Sequence, residues 1–550
     1  MADRVSTVCY GGAGEACMDR PAKGFGRRAF LGSAAAAGFA ASTLPSLRAA
    51  ARYRRHSVTS AQGKAMLASY ARGVDAMLQL PPDDPRNWFR NAFVHLMDCP
   101  HGNWWFYVWH RGYVGLFEQT IRKLSGDPDF ALPFWDWSQL PRIPDELFDG
   151  VLRPADPAHE RYTKDLATFT AFIEGPLLGY WKSLTKEQLA DQAQRGVGSF
   201  DELWTQVTGG GVPANQAFAA TARARFLSRQ NPDLDAATTY DASPGVVLAG
   251  LAPELFYASA ALGFNSSRTP SHVVQPGGTT WFSILEGMPH NNIHNYIGGV
   301  GPWDPGPYGY MTNFLSPADP VFYLHHANMD RLWDVWTRKQ QALHLPFRPD
   351  DADAAAFMDE PFRFFVDSDG RYLTSAKAGD YFDTGVFDYD YAAGTGEELV
   401  TGGGTPVAGG GTPGGRTVAQ ATVQGNAGAF SLSEEFRSNL VAAVTLQPQA
   451  GGARSFDVLV DAPPGVTRAE PGSPFFAGRI AFFGPQEHHA AGGAATFLVP
   501  LTHPQPGSAP RRIGPLPQGQ LADQPMTIAL VPSHGSGPAP AVSAISVQAF

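Results

Sequence analysis

Between residues 60 and 80, apolar positions recur at Met66, Tyr70, Val74, Met77 and Leu78. That spacing lays one stripe along one face of an α-helix. A second helical stretch begins at Pro85 and runs to Met97, carrying His95 near its end. Pro100 and Gly102 break the pattern and leave His101 in a loop. The helical pattern returns from Trp104 to Leu124, with His110 inside it, and Ser125, Gly126, Asp127 and Pro128 stop it. Two later starts are marked by proline. Pro289 suits a first helical position, and Asp319 followed by Pro320 supplies an N-cap and a first-turn proline. Together these predict a helical bundle whose chemistry-bearing side chains point inward.

The stretch 139–280 mixes helical runs with glycine clusters such as 209–211 and predicts loops and short helices only. From Pro361 the pattern turns strand-like, over 362–370 and again over 383–391. Residues 392–425 are rich in Gly, Thr and Ala, a flexible linker composition open to a protease. Beyond it, alternating segments at 455–460, 479–483, 495–499, 526–530 and 544–548 are separated by turn residues and predict a β-sandwich. The expected fold class is therefore a mainly α helical-bundle domain followed by an all-β sandwich. The expected boundaries are 1–50 for a leader, 51–391 for the helical domain, 392–425 for the linker and 426–550 for the sandwich.

At 550 residues the chain has room for two or three domains with full cores. A net charge of −10 gives no reason to expect nucleic acid as a partner. At the amino end, Arg27 and Arg28 stand before Ala29, Phe30 and Leu31. An uncharged Ala-rich run over 32–47 follows, with small residues around Ala50. This resembles a twin-arginine export leader, and a periplasmic or secreted protein is expected; the other reading is a buried Ala-rich helix. No other uncharged apolar run approaches spanning length, so no membrane partner is expected. Cys9 and Cys17 fall within the leader, which leaves Cys99 as the one cysteine beyond it and excludes a disulfide there.

Seven of the fifteen histidines fall in two windows. The first holds His95, Cys99, His101, His110 and Arg111 among tryptophans. The second holds Glu286, His290, Asn291 and His294, then Asp319, Phe322, His325, His326, Asp330, Arg331 and Trp333. Neutral imidazoles suit copper in both oxidation states and leave positions open for dioxygen, whereas magnesium, calcium or di-iron would call for carboxylates. His290 and His294, four apart, project from one helix face and can share an ion. His325 and His326, adjacent and about 100° apart on a helix, do not suit the same ion. A single His-x-x-x-His is more often a packed pair than a ligand pair; two long motifs in order carry the argument. His56, His159, His272, His344, His488, His489, His503 and His534 read as structural or surface residues.

These two windows resemble the type-3 copper proteins, the tyrosinases, catechol oxidases and haemocyanins. The resemblance implies two copper ions, one held by His95, His101 and His110, the other by His290, His294 and His326, the second of the adjacent pair. The step from His95 to His101 is short beside most plant and bacterial relatives. Cys99 stands where fungal relatives form a thioether to the histidine two residues on, here His101; the other reading is a small buried hydrophobe. Glu286 and Asn291 match the positions where plant relatives hold a water that deprotonates monophenols; Glu286 otherwise reads as an ordinary loop carboxylate. Asp330 is expected to orient an imidazole through its second nitrogen, or else to form a helix-surface ion pair, and Phe322 to pack behind the ligands.

The segment ending in Tyr389 and Tyr391, and the strands after it, are similar to plant polyphenol oxidases, where such a domain covers the active site. That implies an enzyme, latent until an activating protease removes the domain; the alternative is a carbohydrate-binding or stabilising sandwich. Dioxygen and small phenolic molecules are the implied partners, and oxidation of o-diphenols to o-quinones, with or without monophenol hydroxylation, the implied reaction. A haemocyanin-like oxygen carrier and an oxidase of aminophenols or another aromatic are the alternatives.

Overall fold

The helix over Ala61–Gln79 starts where Ser60 accepts a hydrogen bond from Gly63 N–H (3.0 Å), and its apolar stripe buries Tyr70, Val74, Met77 and Leu78. The next, Trp88–Asp98, is capped by Asn87. The third, Phe106–Ser125, ends at Gly126 in the left-handed region (φ 70°), where a Cβ would be strained. A long helix, Val321–Ala342, packs against the third, and Asp319 caps it by accepting from Val321 N–H (3.0 Å). This computed structural model describes residues 51–208, 224–259, 262–273, 279–304, 306–401, 415–432, 440–447, 453–484, 493–505, 508–512, 525–534 and 541–549. The expected leader, Arg27 and Arg28 with it, lies outside them. Among the described residues no helix is long and apolar enough to cross a membrane.

The tryptophans that crowd the histidine windows form the core of the helical part. Trp88, Trp104, Trp105, Trp109, Trp333 and Trp336 are all under 2% exposed. At roughly 25 cal/mol per Å² of apolar surface, each such ring contributes several kcal/mol to holding these helices together. Around this core run helices from the stretch 139–280. Several are short, but Leu166–Ser183 is 18 residues long, and Leu255–Tyr257 pairs with Gly263–Asn265 as strands, which the expectation of loops and short helices did not include.

Two expectations change. Pro289 does not open a helix: it sits inside a π-helical turn, Glu286–His290, that leads directly into the α-helix Asn291–Gly298. The wide turn tolerates the missing N–H of proline. The strand-like stretch from Pro361 yields only the short strands Pro361–Phe362, Ala376–Lys377 and Tyr389–Tyr391; its aromatic residues fill gaps against the helices instead. Tyr389–Tyr391 pairs in parallel with Tyr53–Arg55, tying together the two ends of the helical part.

The carboxy-terminal part is a two-sheet sandwich. One sheet runs, in spatial order, Phe476–Ala481, Ser455–Val460, Pro525–Pro532, Ala427–Ser431 and Thr422–Gln424. The other runs Thr280–Phe282, Ala495–Pro500, Leu440–Gln447, Ala541–Ala549 and Arg416–Gln420. The expected linker is therefore narrower than 392–425. Its end forms the strands Arg416–Gln420 and Thr422–Gln424, whose alternating residues fit a sheet. Its beginning is anchored, with Thr395 N–H on Asp136 (2.8 Å) and Glu397 paired with Arg338 (2.6 Å). Residues 402–414 lie outside the described ones. The second sheet also takes its first strand from the helical part, so the two parts are not cleanly separated in sequence.

Candidate metal centre

Six imidazoles converge at the middle of the bundle, and all are buried. His95 comes from the helix Trp88–Asp98, His101 from the loop after it, and His110 from Phe106–Ser125. His290 closes the π-helical turn, His294 lies one turn on, and His326 sits in Val321–Ala342. Four of them have Nδ1 tied to an oxygen: His95 to Phe314 O (2.8 Å), His110 to Phe106 O (2.7 Å), His294 to Met311 O (2.8 Å) and His290 to Asn291 Oδ1 (2.8 Å). Each oxygen accepts the Nδ1 proton, which leaves Nε2 as a bare lone pair. The Nε2 atoms of His95 and His110 stand 3.4 Å apart, and those of His294 and His326 stand 3.2 Å apart. In the first pair both Nδ1 protons are taken, so two lone pairs face each other and repel unless a cation lies against them. His101 Nε2 and His290 Nε2 are buried with no protein hydrogen-bond partner.

The electrostatics agree. Burial pushes the His95 and His290 imidazoles down to about 3. Burial and mutual repulsion hold His101, His110, His294 and His326 well below the usual histidine range. All six are neutral at pH 7 and need lose no proton to take a metal. An all-imidazole donor set with unpartnered buried nitrogens fits copper and does not fit magnesium or calcium.

His325 is buried beside them, its ring centre 4.9 Å from that of His294 and 5.3 Å from that of His290. The donor atoms of His290, His294, His325 and His326 lie within 4.8 Å of one another. Cys99 Sγ lies 3.5 Å from His101 Nδ1. Burial pushes its thiol up to about 12. Phe322 packs its ring 4.2 Å from that of His326 and 5.1 Å from that of His95.

Asp330 does not meet an imidazole, as had been expected of it, nor does it lie on a helix surface. Its buried carboxylate accepts from Arg111 Nε (2.6 Å), Arg55 Nη1 (3.2 Å), Tyr391 OH (2.6 Å) and Tyr389 OH. It is held below the usual carboxylate range because the two guanidiniums outweigh its burial. Its reach to the centre is through Arg111, the neighbour of His110. Glu286 is also committed: one oxygen accepts from Gly102 N–H (2.6 Å), the other from Ser266 Oγ. It thereby fastens the His101 loop to the His290 turn, and burial pushes its carboxyl up to about 8. Asn291 bridges two parts of the chain, accepting from His290 and donating Nδ2–H to Ala481 O (2.7 Å).

Three contributors were not found in the sequence. Phe483, which follows a sandwich strand, lies over the centre with ring distances of 4.4 Å to His294, 4.7 Å to His101 and 5.6 Å to His290. Phe314 stacks on His101 (5.5 Å, 16°), and Met311 supplies the carbonyl for His294. No local motif marks them; only the paired Phe482 and Phe483 before Gly484 stood out as apolar residues at a strand end. His272 and His159 are buried hydrogen-bonded residues, in keeping with their structural reading. His488 and His489, and the side chain of His503, lie outside the described residues.

The profile of the common central domain of tyrosinase matches residues 76–339, which includes all six histidines. The latent form of polyphenol oxidase from Prunus armeniaca is 28% identical over 290 residues, 49% of this chain and 38% of that protein. Polyphenol oxidase II from Ipomoea batatas is 27% identical over 344 residues, 60% of this chain and 47% of that protein. The chain thus matches less than half the length of these relatives. Among solved structures, a recombinant latent aurone synthase (polyphenol oxidase) superposes with a TM-score of 0.51 at 17% identity, covering 91% of this chain and 90% of that one. That likeness extends to the fold as a whole, helical core and β-rich carboxy-terminal part together. Residues 76–339 thus form a common central domain of tyrosinase, and the chain as a whole is similar to polyphenol oxidases.

Proposed function

We propose that this chain is a type-3 copper oxidase of o-diphenols that is held latent by its own sandwich. His95, His101 and His110 would hold one copper, and His290, His294 and His326 the other. When bound, the copper pair supplies electron transfer between a phenolic ring and dioxygen. The observation that carries the reading is the position of Phe483. Its ring occupies the aromatic slot over His101, His290 and His294 that a phenol ring would need, and it has no hydroxyl to react.

The chain's own residues do the rest of the work. The four Nδ1 contacts fix ring orientation, so the donor atoms are set before metal or substrate arrives. Phe322 and Phe106 wall the centre and exclude water. Monophenols must first lose a proton whose unperturbed pKa is near about 10, and we assign the orienting of a water for it to Asn291, with Glu286 holding the His101 loop and the His290 turn around that water. In the covered form Asn291 Nδ2 is spent on Ala481 O, so removing the sandwich frees it. Cys99 Sγ lies 3.5 Å from His101 Nδ1, beside the ring carbons. A thioether there would replace the S–H and one ring C–H by an S–C bond, with dioxygen taking up the two electrons and two protons, and would lock the loop ligand. The leader at 1–50 would export the protein by the twin-arginine route, and a protease acting near 402–414 would begin activation.

Copper content and oxygen uptake with catechol, tyrosine and 2-aminophenol, measured with and without detergent, test this reading. Two coppers per chain and catechol-dependent uptake that rises with detergent are expected. One copper per chain, or reversible oxygen binding without catechol turnover, would overturn it. Faster turnover of 2-aminophenol than of catechol would move the substrate class and leave the centre intact.

A further inference from the structure

The sandwich is joined to the helical part by far more than the chain between them. Thr280–Phe282, four residues ahead of Glu286, is an edge strand of the sandwich, paired in parallel with Ala495–Pro500. Without it, Ala495–Pro500 would become an open, apolar edge. Phe282 stacks on Phe497 at 4.8 Å and 6°. Val246, Leu262, Ile284 and Met288 from the helical side share one buried apolar cluster with the sandwich interior. The core of the sandwich is incomplete without these residues.

A polar ladder runs beside this cluster. Asn292, Asn291 and Asn295 donate to the carbonyls of Arg479 (2.7 Å), Ala481 (2.7 Å) and Phe482 (2.8 Å). Arg479 reaches back to Asp235 (2.9 Å), and its own N–H donates to Asp241 (3.0 Å). These groups are buried, so breaking any one of these bonds strands an unpaired donor or acceptor. The intervening chain adds only effective concentration, which decides nothing once intrinsic affinity exceeds the working concentration.

We infer that the strand Thr280–Phe282, with the groove beside it, is a docking surface for the chain's own sandwich, and that cutting the chain within 402–414 leaves the two fragments bound and the enzyme latent. Activation then needs a second event that expels the sandwich. The association stands on the strand pairing, the shared cluster and the polar ladder; the latency of the cut form rests on the covering role proposed for the sandwich.

The test is a full-length, copper-loaded protein with a specific protease site inserted within 402–414. After cutting, native mass spectrometry and gel filtration at about 1 μM should show both fragments in one species, with catechol oxidation as low as before. Arg479→Ala in the cut protein should weaken association roughly 100-fold, because Asp235 on the other fragment loses its buried cationic partner. If that variant fails to fold, dilution of the unaltered cut protein toward nanomolar concentration measures the same affinity. Fragments that separate at about 1 μM on cutting alone would overturn the inference. A persisting complex with the activity of free core would overturn the latency of the cut form. A separated, copper-loaded core no more active than uncut protein would overturn the covering role and leave the docking surface standing.

Discussion

The ring of Phe483 lies 4.4 Å from the imidazole of His294, the shortest of its three ring contacts with the histidines of the centre. Phe483 is 2% exposed, so nothing else can occupy its place while the sandwich is docked. Phe483→Ala opens a ring-sized space without cutting the chain. Full-length F483A protein should oxidise catechol several-fold faster than the parent, and a bulky diphenol should gain much less. Truncating a buried Phe costs about 3–5 kcal/mol where the surroundings cannot collapse. A lowered melting temperature should therefore accompany the gain. Oxygen uptake on both substrates, with a melting curve, decides it; unchanged latency would place the obstruction elsewhere in the sandwich.

His326 and His325 should separate cleanly on substitution. His326 Nε2 points at His294 Nε2 (3.2 Å), and the His326 ring stacks on His110 at 4.2 Å. His326→Ala should lower the copper content to about one ion per chain and abolish oxygen uptake, because an open ligand position weakens that ion. His325→Ala should keep both ions. Metal analysis after gel filtration reads this directly, and the opposite pattern would make His325 the ligand.

How legible this was depended on range. The helix ends were set by residues within one turn of them: Ser60, Asn87, Gly126 and Asp319 act locally, and each is where the pattern placed a boundary or close to it. The six histidines lie in dense motifs for the same reason. Asp330 could not be read correctly, because its partners Arg55, Tyr389 and Tyr391 come from the two distant ends of the helical part. Pro289 looked like a helix start because a wide turn that absorbs it has no signature of its own. The strand Thr280–Phe282 is three residues long, and its partner lies in another part of the fold, so no periodicity could announce it.

Asn291 should matter more for monophenols than for diphenols. In the proposed mechanism, displacing the sandwich would free its amide to hold a water beside His290, and only the monophenol would need that water as a base. Asn291→Gly and Glu286→Gln, assayed in detergent, should depress tyrosine hydroxylation by roughly tenfold or more, a typical share for general-base catalysis. Catechol oxidation should fall less. Glu286→Gln keeps one acceptor oxygen, so a broken bond to Gly102 or Ser266 should show separately as a lower copper content. Equal losses on both substrates would assign these residues to the shape of the pocket instead.

His272 sets an alkaline limit on stability. Its imidazole is buried between Asp98 (3.0 Å) and Glu360 (2.6 Å), and Asp98 also accepts from Trp109 Nε1 (2.7 Å). Burial opposes the charged form, but the two carboxylates overcome it and raise the imidazole to about 9. In the unfolded chain the value is about 6.5. The charged form is thus favoured in the folded state, and the stability it adds is fully present below about pH 6.5 and lost as pH rises through about 9. From the size of the shift the contribution is about 3 kcal/mol, as an order of magnitude. His272→Gln should be less stable at pH 6, because Asp98 and Glu360 lose their shared cation. Between pH 6.5 and 9 its stability should also fall less steeply than that of the parent. Urea unfolding of both proteins across that range measures the difference in slope. Parallel curves would mean that His272 is neutral in the fold and joins Asp98 to Glu360 by ordinary hydrogen bonding alone.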